Sequence, residues 1–481
     1  MVNRVNIITA LLILAGLISI GWWLGRDPVA EMITTEPGLD NRGARAVVPD
    51  IAIGEYFETN ESWTPGDFTG LEEFNETWPR FRGEYFDNIC RSPEGLIDKF
   101  PEGGPVISWQ QEMGEGYAGA TVYKGLVYVL DHDEELRADV LRCFRLDTGE
   151  ELWRRGYYIS IKRNHGMSRT VPAVTEKYVL TLGPRGHVMC TDRLSGEYRW
   201  GLNVALKYGG DIPLWNTGQC PLVYEDKAII ATGGQSLMVA IDMESGELLW
   251  ETPNPDGWQM SHSSVMPWEY KGVKMLVYSS FGGACGIAAD GDKEGLVLWK
   301  TGAWNHQTVA PSPLCFPDGK VYLTAGYGAG AMVLQLRGEG PEFEVEVEAE
   351  FGPREGLASE QQTPVVFRDH VIGVQPKDAG GLRNQMICVH PSNFREVVWS
   401  SGGDVRFGLG PYIIADGKMY LVDDDGTLVI IRPSISGYEE LDRFQVLEGH
   451  DSWGPVAIAE GYLIMRDSRN MLCLDMARAR N

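Results

Sequence analysis

Short apolar runs alternate with polar, glycine-containing turns along most of this chain. In the clearest pattern, a small residue is followed by a polar turn, and a tryptophan closes the pattern ten residues after the small residue. Four stretches have it, reading CFRLDTGEELW, CTDRLSGEYRW, AIDMESGELLW and ADGDKEGLVLW from Cys143, Cys190, Ala240 and Ala289. Each stretch predicts two short strands joined by a turn that contains glycine.

A second marker precedes these hairpins, namely a proline or small residue that opens an apolar strand, followed by a polar turn and another apolar strand. It recurs eight times at spacings of 43 to 52 residues, beginning at Ala120, Pro172, Pro221, Ser264, Pro313, Pro364, Pro411 and Pro455. Four short strands in a unit of this length are typical of a propeller blade. We therefore predict an all-β fold, an eight-bladed β-propeller with four-stranded blades.

The two ends of the repeat region complement each other. The eighth unit stops near Asp475 without a fourth strand or a closing tryptophan, whereas Val106-Ile107-Ser108-Trp109 precedes the first unit and has both. We expect the N- and C-terminal segments to share one blade, because closing the ring pairs edge groups that an open sheet leaves exposed. Phe351 and Phe444 lie near the positions where the fifth and seventh units lack tryptophan.

The cysteines divide into two groups. Four lie in or next to the small-residue slot, the position ten residues before the closing tryptophan that alanine fills in other units. They are predicted to be small buried residues: Cys143, Cys190, Cys388 and Cys473. The others follow no repeat rule: Cys90, Cys220, Cys285 and Cys315. A bridge from Cys285 to Cys220 or to Cys315 stays open, since an exported protein can form disulfides.

The N-terminus predicts a membrane anchor. The 21 residues from Val5 to Gly25 carry no charge, and a helix of that length spans about 31 Å, one bilayer core. We expect a retained inner-membrane anchor over residues 1–30, an acidic and partly disordered tether over 31–77, and the propeller over 78–481 in the periplasm. A cleaved signal, which would release the protein into the periplasm, is the alternative.

Charge and motifs exclude several functions. The formal net charge is −25 and the pI is about 4.8, which argues against nucleic acid as a partner because phosphate recognition depends on Lys and Arg. The glycine-rich stretch from Ala325 to Gly330 lacks a lysine and a following helix, so it is interpreted as a blade turn and not as a phosphate loop.

Residues just before each innermost strand should line the mouth of the axial channel, where a ligand is expected. The candidate ligand-binding residues are Arg169, Asn216, His262, His306, Gln362, Arg406 and Trp453, and the same ring includes Glu115, Tyr117, Asn305, Glu360 and His450. We consider a small anionic or polyhydroxyl ligand bridged by Arg169 and Arg406, with His262 or His306 as base or metal ligand. Alternatively, these polar side chains only form hydrogen bonds with backbone groups at the ends of the inner strands, in a channel mouth filled with water. No catalytic or metal-ligating residue is assigned.

From Trp78 to Asp475 the chain resembles the PQQ-like repeat family of eight-bladed propellers, in which a small residue, a turn similar to Leu-Asp-x-x-Thr-Gly and a closing tryptophan recur. It is most similar to the BamB-like proteins of that family, and the lead-in Trp78-Pro79-Arg80-Phe81-Arg82-Gly83 resembles that of many bacterial members. In the quinone enzymes that this family includes, a planar quinone is held on the axis by Ca²⁺, beneath a disulfide between adjacent cysteines. If this chain were such an enzyme, the resemblance would imply the same arrangement here. This chain has no adjacent cysteines and no Cys-x-x-Cys-His motif.

Three functions follow from these patterns. We predict a membrane-anchored scaffold that binds cell-envelope proteins and needs no cofactor. The first alternative is a dehydrogenase of alcohols or sugars that depends on PQQ with calcium, or on a metal, and acts at the channel mouth. The second is a module that binds an envelope polymer through aromatic platforms, for which Trp215, Trp258, Trp268, Trp304 and Trp453 are available.

Overall fold

A computed structural model describes residues 4–25, 57–58, 66–91, 95–159, 161, 166–339, 342–449, 451–478 and 480. The chain divides into two compact units, Met1–Pro49 and Asp50–Asn481. The first contains one helix, α1 (Arg4–Leu24). Within the described residues, no helix was found that is long and apolar enough to cross a membrane. The membrane anchor stays a prediction.

The second unit is an eight-bladed β-propeller, as the repeat predicts. The first strands of the eighth, first, second and third blades contact one another in turn. The first strands are Thr121–Tyr123, Ala173–Val174, Leu222–Tyr224, Met266–Tyr270, Leu314–Cys315, Val365–Phe367, Tyr412–Ala415 and Ala457–Ala459. The second strands are Leu126–Asp133, Tyr178–Leu182, Lys227–Ala231, Val273–Ser280, Lys320–Ala325, His370–Val374, Lys418–Val422 and Tyr462–Arg466.

The third and fourth strands complete each blade toward the outside. The third strands are Ala138–Arg145, His187–Asp192, Ser236–Asp242, Gly283–Ala288, Gly330–Arg337, Met386–His390, Thr427–Ile431 and Asn470–Asp475. The fourth strands are Glu151–Tyr158, Tyr198–Asn203, Leu248–Pro253, Val297–Thr301, Glu344–Phe351, Asn393–Ser400, Glu440–Gln445 and Val106–Glu112. A short helix (Val204–Tyr208) and three 3-10 turns (Leu71–Glu73, Gly291–Lys293, Gly380–Leu382) lie between strands.

Ring closure by the two ends of the repeat region is confirmed. Val106–Glu112 pairs with the last strand of the chain, Asn470–Asp475, and places Trp109 opposite Cys473. The Trp109 indole also donates to the carbonyl of Leu146 in the first blade, at 2.7 Å. The eighth blade is therefore completed from the N-terminal side and joined to its neighbour by the same tryptophan.

The tryptophan–glycine pattern is explained by contacts between neighbouring blades. A Cβ added at Gly149 would lie 2.6 Å from the Trp109 ring, and one at Gly246 would lie 2.6 Å from the Trp200 ring. Both glycines have a positive φ, 72° and 73°, which glycine adopts at no steric cost. In four places a closing tryptophan thus packs on the glycine turn of the next blade, so there the repeat encodes the interface as well as the hairpin: Trp109, Trp153, Trp200 and Trp250.

The small-residue slot faces the closing tryptophan, which explains the exchange of cysteine and alanine. In four blades the closing tryptophan stands opposite a cysteine. The pairs are Trp153 with Cys143, Trp200 with Cys190, Trp399 with Cys388 and Trp109 with Cys473. All four cysteines are buried. The prediction of buried small residues at these positions is confirmed.

The prediction that Ala289 fills the small-residue slot of the fourth blade was wrong. Trp299 pairs with Gly286 and not with Ala289, because the 3-10 turn Gly291–Lys293 lengthens the hairpin and Ala289 lies beyond the strand. A Cβ at Gly286 would lie 2.1 Å from the Trp299 indole nitrogen. The absent side chain at Gly286 therefore provides the space that the indole occupies.

The fifth and seventh blades have no tryptophan opposite the slot. Val333 faces Ala349 in the fifth blade and Ile430 faces Asp442 in the seventh. Phe351 and Phe444 lie two residues farther along their strands than these partners, and Phe351 is buried there. The outermost strand of the fifth blade, Glu344–Phe351, is mostly exposed.

All eight cysteines are free thiols in the structure, so neither of the two bridges left open by the sequence is formed. Burial raises the pKa of Cys285 to about 12 and that of Cys220 to about 11. We expect at most slow reaction of the native protein with a thiol reagent at pH 8, and eight reactive thiols in denaturant without reductant. Titration with a chromogenic disulfide reagent measures both numbers, and a denatured count of six or fewer would contradict the free-thiol assignment.

Part of the interval predicted as tether belongs to the propeller unit. Phe57–Glu58 pairs with the outer strand of the first blade, Glu151–Tyr158, and Leu71 and Phe74 pack against the core. Thr77 and Trp78 pair with the first strand of that blade. Residues 31–56 and 59–65 of the interval lie outside the described residues.

The lead-in segment (residues 77–91) passes along the inner strands of several blades. The Val174 amide donates to the Pro79 carbonyl at 2.8 Å, and Arg80 donates to the Val223 carbonyl at 3.2 Å. Ile89–Cys90 then runs parallel to Tyr412–Ala415 of the seventh blade. This segment was not predicted to enter the channel, and it binds together blades that are far apart in the sequence.

Candidate functional site

A cavity of about 220 Å³ lies where the residues preceding the innermost strands converge. Four of the seven candidate residues line it, Arg169, His262, Gln362 and Trp453, together with Tyr117 and Glu360 of the same predicted ring. They come from five of the blades, and each stands just before an inner strand. The topology therefore brings together these side chains as the blade spacing implies.

The other three candidates do not line this cavity. The Asn216 side chain is buried and donates to the Gly166 carbonyl, and His306 packs against the Trp304 ring at 4.3 Å. Arg406 donates to the Arg383 carbonyl. A bridge from Arg169 to Arg406 across one ligand is thus not supported by the lining of this cavity. Glu115 and Asn305 are also outside the lining, and His450 lies outside the described residues.

Three aromatic lining residues were not among the candidates. Phe81 comes from the lead-in segment and Tyr327 from the blade turn between Lys320–Ala325 and Gly330–Arg337. Trp215 precedes the third blade, where it and Asn216 have positive φ values of 71° and 70°, uncommon for residues other than glycine. The sequence analysis named Trp215 only as one of the tryptophans that could form an aromatic platform, and not as a residue of the channel mouth.

A cation and a neutral imidazole share one side of the cavity. The Arg169 guanidinium lies 5.4 Å from the centre of the Tyr117 ring, and burial lowers the pKa of Arg169 to about 10. Burial and the nearby charge of Arg169 lower the pKa of His262 to about 4. At neutral pH, His262 is therefore uncharged and can both donate and accept a hydrogen bond.

A buried carboxylate lies on another part of the wall. The Glu360 side chain is only 3% exposed, and its Oε1 lies 3.2 Å from Lys377 Nζ. Its Oε2 is buried and makes no hydrogen bond within the part of the chain that the structure describes. Because a buried acceptor without a partner costs free energy, Oε2 is suited to accept a hydrogen bond from a bound ligand.

The lining does not fit the calcium and quinone site implied for the enzymes of the resembled family. Glu360, Gln361 and Gln362 are consecutive and supply the only carboxylate and amide side chains among the lining residues that the structure describes, whereas Ca²⁺ takes six to eight oxygen ligands around it. Lys377 already engages Glu360. Among the described residues, no group of three or more His, Cys, Asp or Glu side chains is arranged to hold a metal ion.

The lowered pKa of His262 predicts a pH effect on stability. The unfolded chain protonates this histidine near pH 6.5 and the folded protein near 4, so between these values the unfolded state binds more protons and stability falls as the pH is lowered. We expect the melting temperature of His262→Gln to fall less than that of wild type when the pH is lowered from 7 to 4.5. Asp139, whose pKa burial raises to about 6, contributes with opposite sign in both proteins and cancels from the comparison.

The matched control is His390→Gln, at a half-buried histidine that ends the third strand of the sixth blade and lies outside the cavity lining. That variant should follow the wild-type pH profile. Equal loss of melting temperature in wild type and His262→Gln would contradict the assignment of a neutral His262.

Comparison with known proteins gives one family and one fold. A family model described as outer membrane protein assembly factor BamB matches residues 103–264 and 137–401. The structure of BamB from Moraxella catarrhalis is similar with a TM-score of 0.51 and 12% identity, over 77% of this chain and 97% of that chain. A europium-containing methanol dehydrogenase is similar with a TM-score of 0.55 and 10% identity, over 82% of this chain and 90% of that chain. At these identities the two structures show a shared fold alone, and no curated protein matches the chain in sequence.

Proposed function

This chain belongs to the family of outer membrane protein assembly factor BamB, and from that membership we propose that it is a protein-interaction scaffold of the bacterial cell envelope. The propeller provides a rigid platform whose loops and outer strands are available to partners. The lining of the axial cavity, which lacks the oxygen ligands of a calcium and quinone site, favours this role over that of a dehydrogenase.

The observation that supports a docking role most directly is an apolar patch on the outside of two neighbouring blades. The rim patch consists of Leu248 and Leu249 on the third blade and Leu296 and Val297 on the fourth, which are 39–52% exposed. The pair on the third blade lies next to the pair on the fourth, because Gly295, which precedes Leu296, packs against the ring of Trp250, which follows Leu249. Exposed apolar residues grouped in this way are typical of surfaces that bind another protein.

Photo-crosslinking tests the rim patch. We expect a photoreactive phenylalanine analogue at Leu249, in cells that express the full chain, to give a discrete crosslinked product with an envelope protein. The matched control is the same analogue at Val347 on the fifth blade, because Val347 and Leu249 are similarly exposed, 46% and 48%. Leu296→Glu should abolish the product from position 249. Identical products from both positions, or none from position 249, would overturn the docking role of this patch.

The anchoring part of the proposal concerns α1. We propose that Val5 to Gly25 holds the protein in the inner membrane with the propeller in the periplasm, on the grounds of the uncharged 21-residue run. Alkaline phosphatase fused to the C-terminus, a reporter active only after export, should be active and remain with the membrane fraction. Loss of activity on deletion of residues 5–25 is expected. An inactive fusion of the full chain would contradict the proposed location.

A further inference from the structure

The axial cavity is not used by a docking role at the rim, yet its wall contains a buried polar group that has no partner among the described residues. Glu360 Oε2 has no hydrogen-bond partner among the described residues, although the side chain is 3% exposed. Burying an acceptor in this way costs free energy in the absence of a ligand. Glu360 lines the cavity beside Gln361 and Gln362, which add amide donors and acceptors.

Aromatic faces form the remaining walls of the cavity. Trp215 and Tyr327 are stacked with ring centres 5.8 Å apart, and Tyr117 and Trp453 lie 5.0 Å apart. Two hydrogen bonds fix the second pair, from the Trp453 indole to Asp424 at 2.9 Å and from the Tyr117 hydroxyl to Asp451 at 3.5 Å. Fixed aromatic surfaces next to a few convergent polar groups are typical of a small-molecule site.

The described lining of the cavity carries one charge of each sign, and its carboxylate is also paired with Lys377 from outside the lining. Among the described residues, Arg169 and Glu360 are the only charged ones in its lining, and His262, whose pKa is lowered to about 4, is neutral. A ligand with a net charge would meet an unfavourable partner on one side, whereas a neutral ligand with many hydroxyl groups can bond to both.

The size of the cavity limits the ligand. Its volume is about 220 Å³, slightly below the range of about 300–1,000 Å³ that is usual for small-molecule pockets. A ligand about as large as one sugar ring with its hydroxyl groups fits that size.

We propose that the axial cavity binds one ring of a neutral sugar, free or at the end of an envelope glycan. Glu360 Oε2 accepts a hydrogen bond from a ring hydroxyl, and Arg169 donates to another. The apolar face of the ring packs against the aromatic wall at Trp215. This site is independent of the rim patch, so either proposal can fail without the other.

Titration of the full-length protein in detergent tests the sugar site. The probes are D-glucose, D-galactose and N-acetyl-D-glucosamine, with intrinsic tryptophan fluorescence and melting temperature as readouts. We expect saturable binding of at least one probe in the millimolar range or tighter, with a rise in melting temperature. Glu360→Gln should weaken that binding at least tenfold. Glu355→Gln is the matched control, because Glu355 is an exposed carboxylate in the same loop and outside the cavity lining.

A second variant keeps the test decisive if Glu360→Gln fails to fold. Tyr327 is 57% exposed, so Tyr327→Ala should fold and still weaken binding several-fold. Tighter binding of an N-acetyl-D-glucosamine oligomer than of the monomer assigns the site to a glycan end, and equal binding per molecule assigns it to a free sugar. The proposal is overturned if no probe shows saturable binding at concentrations up to about 50 mM, or if binding is unchanged in both variants.

Discussion

Replacing Trp109 by alanine is expected to lower the free energy of unfolding by about 3–5 kcal/mol, the range measured for removal of a buried tryptophan. Trp109 is 7% exposed, and its indole donates to the Leu146 carbonyl at 2.7 Å. The same ring packs on the glycine turn at Gly149. The variant therefore loses packing between the eighth and first blades together with a buried hydrogen bond. Denaturant unfolding followed by circular dichroism measures the change.

The control for Trp109→Ala is Gln110→Ala on the same strand, whose side chain is exposed. We expect this control to unfold within about 0.5 kcal/mol of wild type, as surface substitutions usually do. A Trp109→Ala protein as stable as the control would contradict ring closure through Val106–Glu112.

Replacing Trp78 by alanine is expected to have a comparable effect, about 3–5 kcal/mol. Trp78 is 2% exposed and belongs to the largest core cluster. It pairs with Val122 of the first blade, and its ring covers Gly83, where a Cβ would lie 2.5 Å away. Because Trp78 fixes the start of the lead-in segment, its removal should also expose residues 77–91 to protease.

Limited proteolysis with mass spectrometry measures that exposure. Tyr85→Ala is the control, since Tyr85 lies in the same segment and is 57% exposed. Cleavage within 77–91 should accelerate in Trp78→Ala and stay at the wild-type rate in Tyr85→Ala. Equal rates in all three proteins would show that the lead-in is not held by Trp78.

The repeat made the propeller predictable because its key positions lie within one hairpin or one blade interface. In four units the glycine meets the closing tryptophan of the neighbouring blade, as Gly149 and Trp109 show, so local spacing carried information on packing between blades. The error at Ala289 arose where this spacing changed. A glycine at position 286 has no side chain to mark the slot, and only the pairing with Trp299 reveals it.

The axial site was only partly predictable. Position before an inner strand sufficed to identify Arg169, His262 and Glu360, since the ring symmetry places such residues around the axis. Phe81 and Tyr327 reach the cavity from a threaded segment and from a turn between strands, for which spacing provides no rule. The ion pair of Glu360 with Lys377 depends on side-chain reach across a loop, which the sequence pattern does not encode.

The choice between a binding propeller and a quinone enzyme is tested most directly by one titration. The full-length protein is mixed with pyrroloquinoline quinone and Ca²⁺, and its melting temperature is recorded against quinone concentration. A ligand that binds the folded state alone must raise that temperature. The account predicts no change, because Glu360, Gln361 and Gln362 do not surround a cation. A saturable rise that Glu360→Gln abolishes would contradict it and assign the axial cavity to the quinone.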